Sequence, residues 1–387
     1  MLSFDSVGLN NISSVVVFKM HWLKQLFFNR HFMKIIFIFS CLIFHSIFSS
    51  AQVTPSHVVV CIMENRSYTN IVGNAQAPYI NNLLGNAHTA VLTNSYGLTH
   101  PSQPNYIMLY SGSNQGVTNN NVPPNLPFTA LNLGGSLINQ NITFIGYSED
   151  LPSVGSNVAT SGAYARKHNP WVNWQGTGLN SIPATSNRPF SDFPVDYNTL
   201  PAFSFVVPNL DHDMHDGSIA AGDSWIQNNL DGYIQWCVSN NSLFILTFDE
   251  DNNVSGNHIL TSFTGADIKG GNYPQPVTHY NLLRTLEDLY QLPYAGFSAD
   301  SSAISGLWLS AQPITYIFTG DGNWDAPSNW SGNIIPPAIT YSGSKIIIDH
   351  AAGGQCIVNV PYAVSAGTTF TVLPGKILKL SGNLVVN

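Results

Sequence analysis

Apolar residues fall along this chain in two rhythms. Up to about residue 293, runs of β-branched and aromatic residues alternate with stretches of helical period. The runs 57–63 (HVVVCIM), 141–146 (NITFIG), 203–207 (FSFVV) and 243–248 (LFILTF) lack a polar face, as expected of strands covered on both sides. Between and after them the spacing predicts helices over 104–111, 223–238 and 278–292. The last places Leu282, Leu283, Leu286, Leu289 and Tyr290 on one face, a core stripe. Strands alternating with helices predict an α/β fold on a mainly parallel sheet flanked by helices. After Pro313 the helical rhythm stops. Short strand-like runs at 345–349, 355–360, 368–373 and 377–386, punctuated by Gly, Asn and Trp, predict a small C-terminal all-β module.

A chain of 387 residues exceeds one typical domain. Met33-Lys34, an apolar run over 35–48 and the small residues Ser49-Ser50-Ala51 have the layout of a secretory signal. A membrane anchor is the alternative, but the run holds Ser40, Cys41, His45 and Ser46 and is short for a span. The expected organisation is an N-terminal extension over 1–32 from a start codon placed too early, a signal over 33–51, a catalytic domain over 52–311 and a β-rich module over 312–387. Charged residues make up only 9%, against roughly 25% in an average globular protein, which suits a secreted protein. A formal net charge of −8 without a basic cluster argues against nucleic-acid binding. Four cysteines, none in a C-x-x-C pair, imply buried thiols and no disulfide framework.

The carboxylates are unevenly placed. Of 21 acidic residues, Asp211, Asp213 and Asp216 fall in one short window and Asp249, Glu250 and Asp251 in another, with His212 and His215 inside the first. Crowded carboxylates repel one another, so such clusters hold a cation or titrate abnormally, unless they are merely solvated turns. Their positions favour the first reading. Glu64-Asn65 follows the strand ending at Met63, the 209–217 loop follows the strand ending at Val207, and Asp249-Glu250-Asp251 follows Phe248. Open α/β sheets build their sites at this carboxyl edge. His279 opens the last predicted helix of the domain. An oxygen-rich donor set suits Mg, Ca or Mn, and added imidazole moves the preference towards Zn or Fe.

The stretch Thr99-His100-Pro101-Ser102-Gln103-Pro104-Asn105-Tyr106 sets a serine at the start of a short helix. Free N–H groups and the helix dipole there suit an anion, although Ser and Pro are also ordinary capping residues. No G-x-S-x-G elbow surrounds Ser102, and so many carboxylates would burden an acyl-transfer site. A divalent ion beside Ser102 would instead favour phosphoryl transfer.

These residues carry a resemblance. Met63-Glu64-Asn65-Arg66-Ser67-Tyr68, the Thr99–Tyr106 stretch, Lys167-His168-Asn169-Pro170, Pro208-Asn209-Leu210 with Asp213-Met214-His215-Asp216-Gly217, Thr247-Phe248-Asp249-Glu250-Asp251, and Thr278-His279-Tyr280 with Arg284-Thr285-Leu286-Glu287 occur in order over about 52–295. The chain resembles the secreted phosphoesterase family of bacterial and fungal acid phosphatases, to which non-specific phospholipases C also belong. Gln103 departs from the family, which has an aliphatic residue there. The resemblance implies an alkaline-phosphatase-like fold and a phosphoseryl-enzyme mechanism. It implies Ser102 as nucleophile, a divalent metal at Glu64, Asn65, Asp249 and Glu250, and His168, Asp213, His215 and His279 as phosphate-contacting or proton-transferring groups. His100 either orients the serine loop or takes part directly, and Asn105 either meets a phosphoryl oxygen or braces the turn. His57 is read as structural, Asp211 and Asp251 as solvated or supporting. Cationic histidines would favour phosphate binding at mildly acidic pH.

The expected substrate is a small phosphate ester or a phospholipid. The function is expected to be phosphomonoester hydrolysis, with a phospholipase C or phosphodiesterase activity as the alternative. A non-catalytic adhesive or sugar-binding surface protein is the rival from another class. Gly320-Asp321-Gly322-Asn323-Trp324 and Pro327-Ser328-Asn329-Trp330 resemble the opening of a G8-like or β-solenoid module. They raise the prospect of cell-surface or polysaccharide contact through Trp324 and Trp330, although packed tryptophans are the simpler reading.

Overall fold

The computed structural model describes residues 54–309, 315–336, 344–364 and 368–386. The expected extension over 1–32, the signal over 33–51 and Cys41 lie outside them. No helix among the described residues is long and apolar enough to cross a membrane.

The chain alternates β1 (His57–Met63), short α1 (Tyr68–Ile71), α2 (Pro78–Leu84), β2 (Thr89–Tyr96), α3 (Ser102–Ser111), α4 (Leu133–Asn139) and β3 (Phe144–Ser148). A small hairpin, β4 (Thr160–Ser161) with β5 (Tyr164–Ala165), and β6 (Asn187–Pro189) lead to β7 (Phe203–Val207). Then come α5 (Ile219–Cys237), β8 (Ser242–Phe248), β9 (His258–Gly265), β10 (Gly271–Tyr273), β11 (Val277–Thr278) and α6 (His279–Leu289). The main sheet has the order β10-β2-β9-β8-β1-β7-β3-β6, with β11 also on β2. Strands β8, β1, β7, β3 and β6 are mutually parallel, and β9 is antiparallel to both β8 and β2. The sheet is therefore mainly parallel, as expected, with one inverted strand that the alternating pattern did not announce.

Both faces of the sheet are buried, which explains the continuous apolar runs. On one face Val58, Val60 and Ile62 pack with Tyr106, Ile107 and Tyr110 of α3 and Leu282, Leu283 and Leu286 of α6. On the other, Val59, Cys61 and Met63 pack with Ile80 of α2 and Ile226, Leu230 and Ile234 of α5. Alternation along β1 thus serves two cores of equal apolarity, leaving no polar stripe.

Several boundaries differ from expectation. The strand expected over 141–146 begins at Phe144 and reaches Ser148. Asn141 has φ 60, a left-handed conformation in which Asn closes the turn after α4. Helix α5 begins at Ile219 rather than Asp223, because the Ser218 hydroxyl accepts from Ala221 N and caps it. Helix α6 runs His279–Leu289, capped by Thr278 with Asn281. Helix α3 begins at Ser102 itself, two residues before the expected start. His57 Nδ1 donates to Pro201 O at 3.1 Å, in keeping with its structural reading. Cys61, Cys237 and Cys356 are buried free thiols.

The C-terminal strands stack in parallel. β12 (Thr315–Phe318), β14 (Lys345–Ile348) and β17 (Thr369–Val372) form one ladder, and β13 (Gly322–Asn323), β15 (Cys356–Val358) and β18 (Leu378–Leu380) a second. β16 (Tyr362–Val364) and β19 (Leu384–Val386) form a third. Their inward residues make a separate apolar cluster. Trp324 and Trp330 are buried in it, edge to face with centroids 4.6 Å apart, and Trp330 Nε1 donates to Trp324 O. They are core residues, so the prospect of sugar stacking on them is withdrawn.

Candidate active site

Strand register brings the acidic residues together. Met63 lies beside Phe248, so Glu64 and Asp249 leave the sheet side by side, and Glu64 N donates to Asp213 O. Asp249 N donates to Met63 O, while Asn65 N, from a residue at φ 47, donates to Asp249 Oδ1. β2 delivers the serine loop to the same edge. Gly97 follows its end and passes so close that a Cβ there would stand 2.7 Å from Asp249 O. Only glycine fits this crossing.

Ser102 is the first residue of α3 and is buried. Its hydroxyl lies 2.9 Å from Glu64 Oε2 and 3.1 Å from Glu250 Oε1. One hydroxyl proton serves two carboxylate acceptors. The helix end is less open to an anion than its sequence suggested. Gln103 N is taken by Asn120 Oδ1 at 3.0 Å, and Pro104 has no N–H. The Gln103 amide also donates to Asn119 O and Asn121 O, at 2.8 and 2.7 Å, fixing the neighbouring loop to the helix that begins at Ser102.

Behind Glu64 stands His168, with Nε2 3.0 Å from Glu64 Oε1 and Nδ1 3.1 Å from Asp213 Oδ2. The Tyr106 ring stacks on it at 5.2 Å. On the other flank His100 Nδ1 lies 2.7 Å from Glu250 Oε2 and its Nε2 3.5 Å from Asp251 Oδ1. Asp251 is buried, not solvated. Its carboxylate accepts from Asn253 N, Ser255 N and Asn257 N and so shapes the loop under His100. Asn105 is committed to the serine loop: its Oδ1 accepts from Leu98 N and Thr99 N, and its Nδ2 donates to Thr99 O and reaches Glu250 Oε2 at 3.4 Å. His279 Nε2 donates to Asp249 O at 2.6 Å, holding the acidic corner from behind. His215 lies at the half-exposed rim, paired through Nδ1 with Asp216 Oδ1. Asp211 stays in the solvated part of its loop, and His212 pairs with Glu149.

The buried charge is uncompensated. Burial first, and then the Asp213 charge, pushes Glu64 up to about 8. Burial raises Asp213 to about 7, and burial with the Glu64 and Glu250 charges raises Asp249 well above the usual carboxylate range. Burial also raises Glu250, against the opposing pull of His100. The same burial pushes His168 well below its ordinary value and His279 down to about 4. Burial thus disfavours the cationic form of both histidines, which runs against the expectation of cationic histidines at mildly acidic pH. Glu64 Oε1, Asp213 Oδ2, Asp249 Oδ2 and His168 Nε2 have no aligned hydrogen-bond partner. Orphaned carboxylate oxygens in a buried cluster are what a divalent cation satisfies, and the oxygen donors fit one. No group of three or more His, Cys, Asp or Glu side chains among the described residues is arranged to hold a metal ion. The fit thus rests on donor chemistry.

Residues 75–293 match the phosphoesterase family. A phosphatidylinositol-3-phosphatase of Mycobacterium tuberculosis is 46% identical over 265 residues, covering 67% of this chain and 85% of that protein. The chain belongs to the phosphoesterase family. This phosphoesterase is a phosphoric ester hydrolase. An acid phosphatase of Aspergillus fumigatus is 32% identical over 216 residues, 52% of this chain and 48% of that enzyme, so the phosphoesterase spans about half the length of this fungal relative. Among solved structures, an alkaline phosphatase superfamily protein of Vibrio parahaemolyticus aligns with a TM-score of 0.44 at 12% identity, over 62% of this chain and 67% of that one.

Two supporting residues escaped the sequence reading. Glu149, just past β3, accepts from Asn209 N, lies 3.0 Å from His212 Nδ1 and accepts from Trp225 Nε1. It was visible as a fourth carboxylate at a strand's carboxyl end. Lys167 stood inside a recognised motif without a role; its signal was its place beside His168.

Proposed function

We propose that the protein is a secreted, divalent-metal-dependent phosphomonoesterase of the acid phosphatase type, acting through a phosphoserine on Ser102. The observation that carries this reading is the Ser102 hydroxyl held between Glu64 Oε2 and Glu250 Oε1 at 2.9 and 3.1 Å. The name of the Mycobacterium tuberculosis relative supports a monoester, and lipid-borne phosphates belong within the expected range. The apolar run over 35–48 supports secretion.

The cation would be held by Glu64, Asn65, Asp249 and Glu250, where it supplies charge neutralisation for phosphoryl oxygens and eases ionisation of the serine. Ser102 Oγ attacks phosphorus in line, and its proton passes to Glu64 Oε2 or Glu250 Oε1. The Oγ–P bond forms as the ester P–O bond breaks. Asp213, which keeps its proton up to about pH 7, is the best placed of the expected acids to return one to the leaving alcohol, with His168 as carrier between it and Glu64. Water then cleaves the phosphoserine with the proton steps reversed. His100 and His279 keep Glu250 and Asp249 in register.

Phosphate release from p-nitrophenyl phosphate by wild type and Ser102→Ala, across a panel of Mg, Ca, Mn, Zn and Fe, tests the reading. The expected outcome is cation-dependent turnover that the variant lacks. Unchanged release by Ser102→Ala would sink the mechanism, and faster turnover of the bis-ester would sink the monoester preference.

A further inference from the structure

Cations are scarce around this acidic site, and most of those present are engaged. Arg166 is buried. Arg66 donates to Asn65 O at 3.4 Å and Gly217 O at 3.2 Å, and His100 is taken by Glu250. Lys167 is different. It is half-buried, and although Arg66 and Arg166 are likewise in no ion pair among the described residues, Arg66 is held by two carbonyls and Arg166 lies buried, whereas the Lys167 ammonium meets an imidazole. Its Nζ lies 3.3 Å from His215 Nε2. Its charge nevertheless acts on Glu64, Asp213 and Glu250, lowering each, and on His168. The His215 ring that Lys167 meets lies 6.0 Å from the ring of His168, whose Nε2 is 3.0 Å from Glu64, so the ammonium stands on the Glu64 side of the site with no contact carboxylate.

We propose that Lys167 is a substrate-binding residue of this site, receiving the phosphoryl oxygens of a dianionic phosphomonoester, and that His215 with Asp216 positions it. The proposal rests on the phosphomonoesterase reading above and names the group that selects charge. An ammonium has three donors and no lone pair, so His215 Nε2 must be the acceptor in its contact with Lys167. The ring proton then sits on Nδ1 and donates to Asp216 Oδ1 at 2.6 Å. His215 is thereby held as a neutral acceptor that aims the lysine, which replaces its expected role as proton donor. Two Lys167 protons remain for phosphoryl oxygens. A monoester dianion carries one more negative charge than a diester, and an unpaired ammonium rewards that difference most.

The test uses the full chain loaded with its activating cation. Inhibition by inorganic phosphate and turnover of p-nitrophenyl phosphate and its bis-ester are measured for wild type, Lys167→Met and Lys167→Arg. Lys167→Met is expected to raise the phosphate inhibition constant and the monoester KM about 10- to 100-fold, and to change bis-ester kcat/KM by less than about threefold. Lys167→Arg should recover part of the loss, because charge is restored. His215→Gln, whose carbonyl can still accept from Nζ, should weaken phosphate less than His215→Leu. An unchanged phosphate constant in Lys167→Met, or equal losses for both esters, overturns the proposal. Calorimetric titration of Ser102→Ala with inorganic phosphate, with and without Lys167→Met, reads binding even if the phosphoserine mechanism fails, so the two failures are distinguishable.

Discussion

His168 Nε2 lies 3.0 Å from Glu64 Oε1, within the carboxylate pair's buried space, while the same ring meets Asp213 through Nδ1. The neutral imidazole keeps apart two acids that would otherwise repel in a low-dielectric interior. It touches both carboxyls, though neither contact is an aligned hydrogen bond. His168→Ala should lower kcat at least about 100-fold, the scale of a lost acid–base group. The cavity left by the buried ring should also cost about 2–5 kcal/mol of stability. Steady-state kinetics and thermal denaturation check both, and wild-type kcat would show that the ladder carries no proton.

The raised carboxyls set the pH dependence of stability. Glu64 goes from an ordinary 4.5 to about 8 and Asp213 from 3.8 to about 7. Between those limits the folded protein binds protons that the unfolded chain has released, so stability falls as pH rises. The chelator-treated protein should therefore show a Tm that is highest near pH 4 to 5 and declines steadily to pH 8. Adding the proposed divalent cation should flatten that decline, since it would replace the protons. A Tm that climbs with pH in the chelated sample would refute the account.

Gly97 is where β2 hands the serine loop past the acidic corner. Gly97→Ala drives a methyl to within 2.7 Å of Asp249 O and 2.8 Å of Asn257 Oδ1. Backbone must shift, at about 1–3 kcal/mol. Because the displaced atom belongs to Asp249, activity should fall more than the loss of stability explains. Comparing kcat with folded fraction at 25 °C measures this, and a fully active variant would contradict it.

Asp251 tests whether the loop beneath His100 matters. Its carboxylate accepts three backbone N–H groups, from Asn253, Ser255 and Asn257. Asp251→Ala should cost about 1–3 kcal/mol and raise proteolytic cutting within 252–257. His100→Ala, by contrast, should leave Tm nearly unchanged while lowering kcat about tenfold, through a Glu250 carboxylate that has lost its 2.7 Å partner. Equal effects of the two changes on Tm would argue that His100 is only a brace.

Much of the site was legible before any coordinates. Glu64 and Asp249 follow an apolar run directly, Glu250 comes next after Asp249 and Asp213 lies in the loop after Val207, and parallel strands in one sheet deliver their carboxyl ends to one edge. Ser102 was legible through its helix start. The positions of His168 and His279 were not, because His168 follows no main-sheet strand and β11, which His279 follows, is too short to show as an apolar run. His168 arrives on a short helical turn after a two-stranded hairpin, and His279 turns back onto a backbone carbonyl. Expecting them to be cationic failed for the same cause: burial depends on what packs around a ring, which local sequence does not state.

By itself the sequence determined the α/β alternation, the two covered sheet faces and the clustering of acids at one edge, since these follow from residue period and strand polarity. Tertiary structure alone decided the rest. It inverted β9, set Ser102 between two carboxylates, closed the Gln103 N–H with Asn120, and left Lys167 without a carboxylate partner. Each of these depends on atoms distant in the chain meeting within about 3 Å, the range over which a hydrogen bond forms and a pattern of residues has no reach.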